Sequence, residues 1–318
     1  MPELPEVETV ARDLRGRILG ATIVEARFDG PRAIAGVAPE AFSRLVRGRV
    51  VEAVGRRAKT VLVELAGGLV LTIQLKMTGQ VFVTAADAPL DRHVRVVLDL
   101  DDGRQLRFRD VRKFGRVGLY DRDDAGRLVG AGGSGASGTA DLFGRHGPEP
   151  LEDDFTLAAF RRRLRRRTGR LKPLLLDQSF IAGVGNIYAD EALFRARLHP
   201  LRSVRTLRPD DERRLYREIR AVLAEAIERR GSSVDDYVAP DGEGSMQEYL
   251  AVYQRTGEPC QRCGRPVRRI VLGGRGTHFC SRCQRLPAVD RPAAVPILRA
   301  GTAADRVAAG RAAATRRG

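Results

Sequence analysis

The four cysteines of this chain of 318 residues, Cys260, Cys263, Cys280 and Cys283, form two Cys-x2-Cys pairs with sixteen residues between them. Two such pairs can set four thiolates tetrahedrally around one zinc ion. A disulfide-held secreted chain would scatter its cysteines, so clustering points to a metal. Four sulfur ligands leave no open position for water, and the expected zinc is therefore single and structural. The intervening GRPVRRIVLGGRGTHF reads as a β-hairpin with glycines at its tip and Arg275 presented there, a shape suited to a phosphate backbone.

The rest of the composition fits a nucleic-acid partner. Lys and Arg total 56 against 40 Asp and Glu, a net charge of +16, which attracts polyanions. A coding bias towards Arg would give the same surplus, so charge alone leaves both explanations open. Hydrophobic residues make up 43%, enough for a core, and the length fits two domains with a small appendage. No apolar run reaches the roughly eighteen residues of a membrane span, and MPELPEVETV is not a secretory leader. The expected location is cytoplasmic.

Hydrophobic periodicity divides the chain. Pro5, Glu6 and Glu8 suit a helix N-terminus, and Val7, Val10 and Leu14 give it one apolar face. Strand patterns follow over Arg49–Val54, Thr60–Leu65 and Leu69–Leu75. Alternation from Val94 to Leu100, a turn at Asp102-Gly103 and a return over Gln105–Arg109 complete an antiparallel region, expected to be a two-layer sandwich. Gly130–Ala140, GAGGSGASGTA, reads as a flexible linker. Helical patterns then cover Phe155–Leu164, Lys172–Leu176, Ala189–Ala196 and Asp210–Arg229. From Leu286 onward the chain is mostly Ala, Arg, Gly and Pro without an aromatic residue, which predicts a disordered basic tail.

Two short segments carry chemistry. The Gly183–Asn186 turn, GVGN, permits close backbone approach, and the following helix start with the Asn186 amide could grip a phosphate. A glycine turn can equally be a mere connection. Pro2 follows Met1, whose removal would expose a secondary amine; α-amino groups titrate near about 8, leaving a useful neutral fraction. Such an amine adds to the aldehydic C1′ of a sugar to give an iminium ion, with Glu3 beside it to move protons. From composition alone, the same residues are simply a helix entry.

MPELPEVETV, RRAKTVLVEL, QLKMTG, RDVRKFGR, DQSFIAGVGNIYADEALF and the CxxC…GGRGTHFCSRC hairpin occur here in the order of one family. The chain resembles the bacterial formamidopyrimidine-DNA glycosylases from Met1 to about Arg285. The resemblance implies an α+β fold: an N-terminal β-sandwich with an initial helix, a helix–two-turn–helix domain and a C-terminal zinc-finger β-hairpin. Placed on this chain, that gives a catalytic domain at residues 1–129, a linker at 130–148, the helical DNA-binding domain at 149–244, the finger at 245–285 and the tail at 286–318.

The resemblance also implies roles. Pro2 matches the Schiff-base nucleophile and Glu3 the acid that assists sugar-ring opening. Lys59 matches the proton donor and phosphate ligand of β-elimination, and Arg275 the finger arginine serving δ-elimination. Asn186 matches a phosphate-binding amide. Met77, Arg112 and Phe114 match side chains that fill the hole left by an extruded base, with Arg112 facing the orphaned partner. His93 and Arg167 match DNA-contacting positions. Gln74 departs from the family pattern, replacing a histidine and removing a charge from one backbone contact.

The expected protein is thus a monomeric, bifunctional glycosylase and lyase that acts on double-stranded DNA containing oxidised purines, with one structural zinc and no membrane association. Two other readings are an endonuclease VIII-like enzyme for oxidised pyrimidines, against which Leu4 speaks, and a DNA-binding protein without catalysis, against which Pro2, Glu3 and Lys59 speak.

Overall fold

The computed structural model describes residues 2–131, 141–233 and 244–300. Two compact units divide the chain. The first comprises Met1–His146 with Ala226–Glu248, and the second Gly147–Glu225 with Tyr249–Gly318. The expected boundaries at 149 and 244 are not those of these units. The chain returns to the first unit after the long helix, where the Ser232 backbone N–H donates to the Glu6 carboxylate at 2.9 Å.

The first unit opens with helix α1, Leu4–Ile18, whose apolar stripe of Val7, Val10 and Leu14 is buried as its periodicity demands. Two sheets follow. One has four strands in the order β1-β7-β8-β6: Ile23–Phe28, Val94–Leu100, Arg104–Asp110 and Gly79–Ala85. The other runs β10-β9-β5-β4-β3: Leu128–Gly130, Arg116–Arg122, Leu69–Gln74, Thr60–Leu65 and Val51–Arg57. The short β2, Ile34–Ala35, lies parallel to β9, and helix α2, Pro39–Val46, follows it in the chain. Val96, Leu98 and Phe108 from the first sheet share one core with Val63, Leu71, Ile73 and Val117 from the second and with the α1 stripe. The expected sandwich is therefore present, and the Asp102-Gly103 turn does join β7 to β8.

Two corners carry the chain between the sheets, one from β5 to β6 through residues 75–78 and one from β8 back to β9 through 111–115. Register sets them side by side, because Gln74 pairs with Arg116 and Gly79 with Asp110.

The second unit holds α3 (Leu157–Arg165), α4 (Leu171–Leu176), α5 (Asn186–Arg195) and most of α6 (Pro209–Glu228), with the hairpin β11–β12 at Arg268–Leu272 and Arg275–Phe279. Helix α5 starts three residues before the sequence pattern suggests. Gln178 holds the preceding turn from both sides, accepting the Gly183 N–H at 2.9 Å and donating to the Val184 carbonyl at 2.8 Å. Gly183, at φ +84°, supplies the left-handed conformation that turn requires.

The tail expected to be disordered is ordered as far as residue 300. Ala288–Asp290 forms a 3-10 turn and residues 291–300 a helix. Ala294, Ile297 and Leu298, spaced i, i+3, i+4, pack against Leu201, Ile270, Leu272 and Phe279. Interspersed with Arg and Pro, these residues did not stand out in the composition, but their spacing makes one narrow stripe that packs on the hairpin. Arg170 fastens the same segment by donating to the Ala293 carbonyl at 2.6 Å. Residues 301–318, and 132–140 of the glycine-rich insert, lie outside the described residues. Among the described residues no helix is long and apolar enough to cross a membrane.

Candidate active site and nucleic-acid interface

In the first unit, the N-terminus expected to carry chemistry is built by a capping box. Glu3 is the N-cap of α1, and the Glu6 carboxylate reaches back to accept the Glu3 backbone N–H at 2.8 Å. The same carboxylate accepts the Ser232 N–H through its other oxygen. Pro2, Glu3 and Glu6 are all buried. Gly231 permits the close approach of residues 231–232. It sits at φ +76°, and a side chain there would place a Cβ 2.9 Å from the Glu6 carboxylate. Glu6 was legible only as a helix-start acid; the sequence held no sign that it ties Glu3 to a segment more than two hundred residues away.

Lys59 lies in the two-residue turn between β3 and β4. Its neighbour Ala58 adopts φ +53°, unusual for a residue with a Cβ. Arg56 steadies this turn. It donates to the Ala58 carbonyl at 3.1 Å and to Glu8 of α1 at 3.2 Å, coupling the Lys59 turn to the helix that Glu3 caps.

The two corners between the sheets present Met77 on one and Arg112 with Phe114 on the other. Met77 is 36% and Phe114 53% exposed, so neither is a core residue. The Arg112 guanidinium stands 5.2 Å from the centroid of the Phe114 ring. Asp110, which the sequence did not single out, shapes the corner. Its carboxylate accepts the Thr78 hydroxyl at 2.5 Å, the Gly115 N–H at 2.6 Å and the Arg112 N–H at 3.2 Å. Gly115 is obligatory, since a Cβ there would meet the Phe108 ring at 2.4 Å. His93 joins this end of the sheet through its carbonyl, which accepts the Asp110 N–H at 2.9 Å. Pro2, Glu3, Lys59, Met77, His93, Arg112 and Phe114 thus all belong to the first unit.

The second unit carries the other expected residues. Asn186 opens α5 behind Gly185, an N-cap with no side chain to satisfy the first backbone N–H groups, which leaves donors for an anion. Its amide donates to the Gly276 carbonyl at 3.1 Å, beside Arg275. Arg275 is exposed and follows the Gly273-Gly274 tip, where φ values of +57° and +74° suit a tight hairpin turn. Beneath Asn186 lies a buried network. Lys172 donates to Asp190 at 2.5 Å and to the Asn186 carbonyl at 2.9 Å, and the other Asp190 oxygen accepts the His278 backbone N–H at 2.9 Å. Arg167 is engaged with Asp177 at 3.5 Å and with the Ser179 hydroxyl at 3.1 Å. Neighbouring Glu191, fully buried, accepts the N–H groups of Ala251, Val252 and Tyr253, each at 2.9 Å. Burial holds its carboxyl above the usual range despite these bonds.

The four cysteine sulfurs lie within 4.8 Å of one another, with Cys260–Cys283 at 3.9 Å and Cys263–Cys280 at 3.5 Å. A tetrahedron of zinc–sulfur bonds of about 2.3 Å has edges of about 3.8 Å, whereas a disulfide would need about 2 Å. Burial, and then the neighbouring thiols, push the Cys283 thiol up to about 12, so sulfurs this close need a cation to ionise together. The donor set fits one closed structural zinc.

Known proteins share this layout. The family model for the formamidopyrimidine-DNA glycosylase N-terminal domain matches residues 1–117, that for its H2TH domain residues 146–238, and that for the zinc finger found in FPG and IleRS residues 257–286. Formamidopyrimidine-DNA glycosylase of Herpetosiphon aurantiacus is 49% identical over 286 residues, covering 89% of this chain and 100% of the relative. That of Chloroflexus aggregans is 50% identical over 291 residues, covering 90% and 99%. The crystal structure of the MutM (Fpg) protein from Thermus thermophilus superposes with a TM-score of 0.76 at 43% identity, covering 90% of this chain and all of that one. Lactococcus lactis Fpg in complex with DNA containing an abasic site gives a TM-score of 0.79 at 36% identity, over 89% and 99% of the two chains.

Proposed function

The chain belongs to the formamidopyrimidine-DNA glycosylase family, and from that premise we propose that Pro2, Glu3, Lys59 and Arg275 carry its chemistry while Met77, His93, Arg112, Phe114, Arg167 and Asn186 hold its DNA. The activity is that of a base excision repair glycosylase and lyase for oxidised purines. Its partner is double-stranded DNA carrying the lesion. Four thiols that must stay reduced to bind zinc favour the cytoplasm, where the chromosome is also found.

The observation that carries the assignment is the pair of adjacent corners exposing Met77, Arg112 and Phe114. Extruding a base costs on the order of a few kcal/mol of stacking and pairing, and intercalated side chains recover part of it. An exposed methionine and phenylalanine, with an arginine able to read base edges beside the phenylalanine, meet that need. The Asp110 hydrogen bonds hold the corner in shape before DNA arrives.

The chemical step then falls to the α1 N-terminus. Once Met1 is removed, the lone pair of the Pro2 nitrogen attacks C1′. The bond from C1′ to the base breaks, and the base leaves with the electron pair and a proton. Glu3 protonates the ring oxygen as the sugar opens, giving the iminium. Loss of a C2′ proton and departure of the 3′-phosphate constitute β-elimination, for which Lys59 is the proton donor and phosphate ligand. Arg275 and Asn186 hold phosphates, and Arg275 serves the δ-elimination that releases the 5′-phosphate. Zinc supplies no chemistry to these steps; its four thiolates brace the hairpin that ends in Arg275.

Borohydride trapping on a lesion duplex, with mass spectrometry of the adduct, tests this. The adduct should map to Pro2. A protein whose Pro2 nitrogen is acylated by an N-terminal fusion should neither trap nor cleave, yet should still bind an uncleavable abasic analogue. Trapping at a lysine with full cleavage in the blocked protein would overturn the assignment.

A further inference from the structure

Arg197, Arg262, Arg282 and Arg285 line one depression of about 660 Å3 together with Cys263 and Cys283. This is the cysteine end of the finger, opposite the Arg275 tip. The two ends are separated by β12, whose five residues span roughly 16 Å at about 3.3 Å each. An anion here is therefore not the one that Arg275 holds. None of the four guanidinium groups is in an ion pair with an acidic side chain among the described residues.

Part of this charge has a local use. Four thiolates around a zinc ion carry a net charge of −2, so four arginines leave a surplus of +2. Arg262 is also fixed by the fold, donating to the Phe194 carbonyl at 2.7 Å with its guanidinium 4.3 Å from the Phe194 ring centroid. Arg197 has no such employment, yet it occupies a costly place. It follows α5 in a Schellman turn, in which the Leu198 N–H donates to the Leu193 carbonyl at 2.9 Å and its own N–H to the Phe194 carbonyl at 3.1 Å. Its φ of +57° is a conformation in which glycine is favoured. An arginine kept in a glycine position, exposed and aimed with three others at one depression, is the expected form of a site for negative charge.

We propose that this depression is a second DNA-backbone site, separate from the lesion-holding residues, that takes phosphodiesters beyond the lesion. Guanidinium forks match phosphate oxygens, and the depression is too large for a single small anion but suits a continuous chain of phosphates. The inference rests on the reading of the protein as a DNA-binding enzyme, and its test leaves excision itself untouched.

The test is the salt dependence of binding to a long undamaged duplex. Each phosphate contact contributes about 0.9 to the slope of log affinity against log salt. The double variant Arg197→Gly, Arg285→Ser should lower that slope by about two while keeping one zinc per chain and wild-type excision on a short lesion duplex. Arg197→Gly also relieves the left-handed strain, so the melting temperature should not fall on its account. If the double variant loses zinc, Arg285→Ser alone should lower the slope by about one. An unchanged slope with zinc retained would show that the arginines only balance the thiolates. Stoichiometric micromolar binding of inorganic pyrophosphate at these residues, with no change in slope, would assign a small-anion site and overturn the proposal. Failure of lesion excision in the wild-type protein would strike the proposed function instead.

Discussion

Lys172 and Asp190 form an ion pair at 2.5 Å with neither side chain exposed. Helices α4 and α5 are fastened there, and the same ammonium holds the Asn186 carbonyl. Removing one partner of such a pair strands the other charge at a cost of about 3–5 kcal/mol, whereas replacing both with apolar groups is far milder. Asp190→Asn should therefore lower the urea midpoint steeply, and the double variant Lys172→Met, Asp190→Leu should recover part of the loss, the rest reflecting the Asn186 carbonyl and His278 N–H left without partners. Equal destabilisation by the single and double variants would show that the pair is not what fastens the helices.

Glu6 accepts two backbone N–H groups, those of Glu3 and Ser232. Glu6→Gln preserves size but turns a donor towards one of them and removes charge assistance, a loss of about 1.5–3 kcal/mol. Because the bond to Glu3 sets the start of α1, borohydride trapping should slow by roughly tenfold or more, an effect of at least about 1.4 kcal/mol on the barrier. Binding to an abasic analogue should change much less. Unaltered trapping kinetics would remove Glu6 from the set of positioning residues.

Burial, and then the charge of Arg268, lowers the pKa of His199 to about 4 from its ordinary value of 6.5. The unfolded chain therefore binds the extra proton between these two values, and stability falls as pH drops from about 6.5 to about 4. At about 1.4 kcal/mol per unit the loss approaches about 3 kcal/mol, and it levels off below the folded value. His199→Phe should flatten that limb in urea melts run across this range. An identical pH slope in the variant would assign the acid limb elsewhere.

Cys280→Ser removes a buried thiolate from a closed four-sulfur shell. The variant should bind no stoichiometric zinc, and affinity for abasic-analogue DNA should fall at least tenfold as the hairpin loses its metal brace. Chelation of the wild-type protein should reproduce this loss, with recovery when zinc is restored. Active, DNA-binding protein without bound metal would contradict the structural assignment.

What the sequence made legible was whatever repeats locally. Val7, Val10 and Leu14 show the buried stripe of α1, the alternation from Val94 to Leu100 shows a strand, and the cysteine spacing shows the metal. Met77, Arg112 and Phe114 were legible only through family resemblance, because an isolated methionine or phenylalanine looks like core. Their placement depends on register, with Gln74 opposite Arg116 and Gly79 opposite Asp110. Such cross-strand partners, and helix-to-loop partners such as Glu6 with Ser232 or Glu191 with residues 251–253, are far apart in the chain and leave no periodic trace. The helix at 291–300 was hidden for the opposite reason, its packed stripe of Ala294, Ile297 and Leu298 diluted by the Arg, Pro and Ala of a composition typical of solvated tails.

That C-terminal helix bears on how the enzyme survives its own working conditions. A repair protein for oxidised bases meets the oxidants that make them, and thiolates are among their first targets. Cys263 and Cys283 are only partly shielded. Ala294, Ile297 and Leu298 contain no readily oxidised atom, and they grip the hairpin through Ile270, Leu272 and Phe279, none of which is a zinc ligand. A sulfenic acid formed at one cysteine would eject zinc yet leave the two Cys-x2-Cys pairs near each other. Reduction and remetallation could then restore the finger without unfolding the chain, making oxidative inactivation a reversible pause.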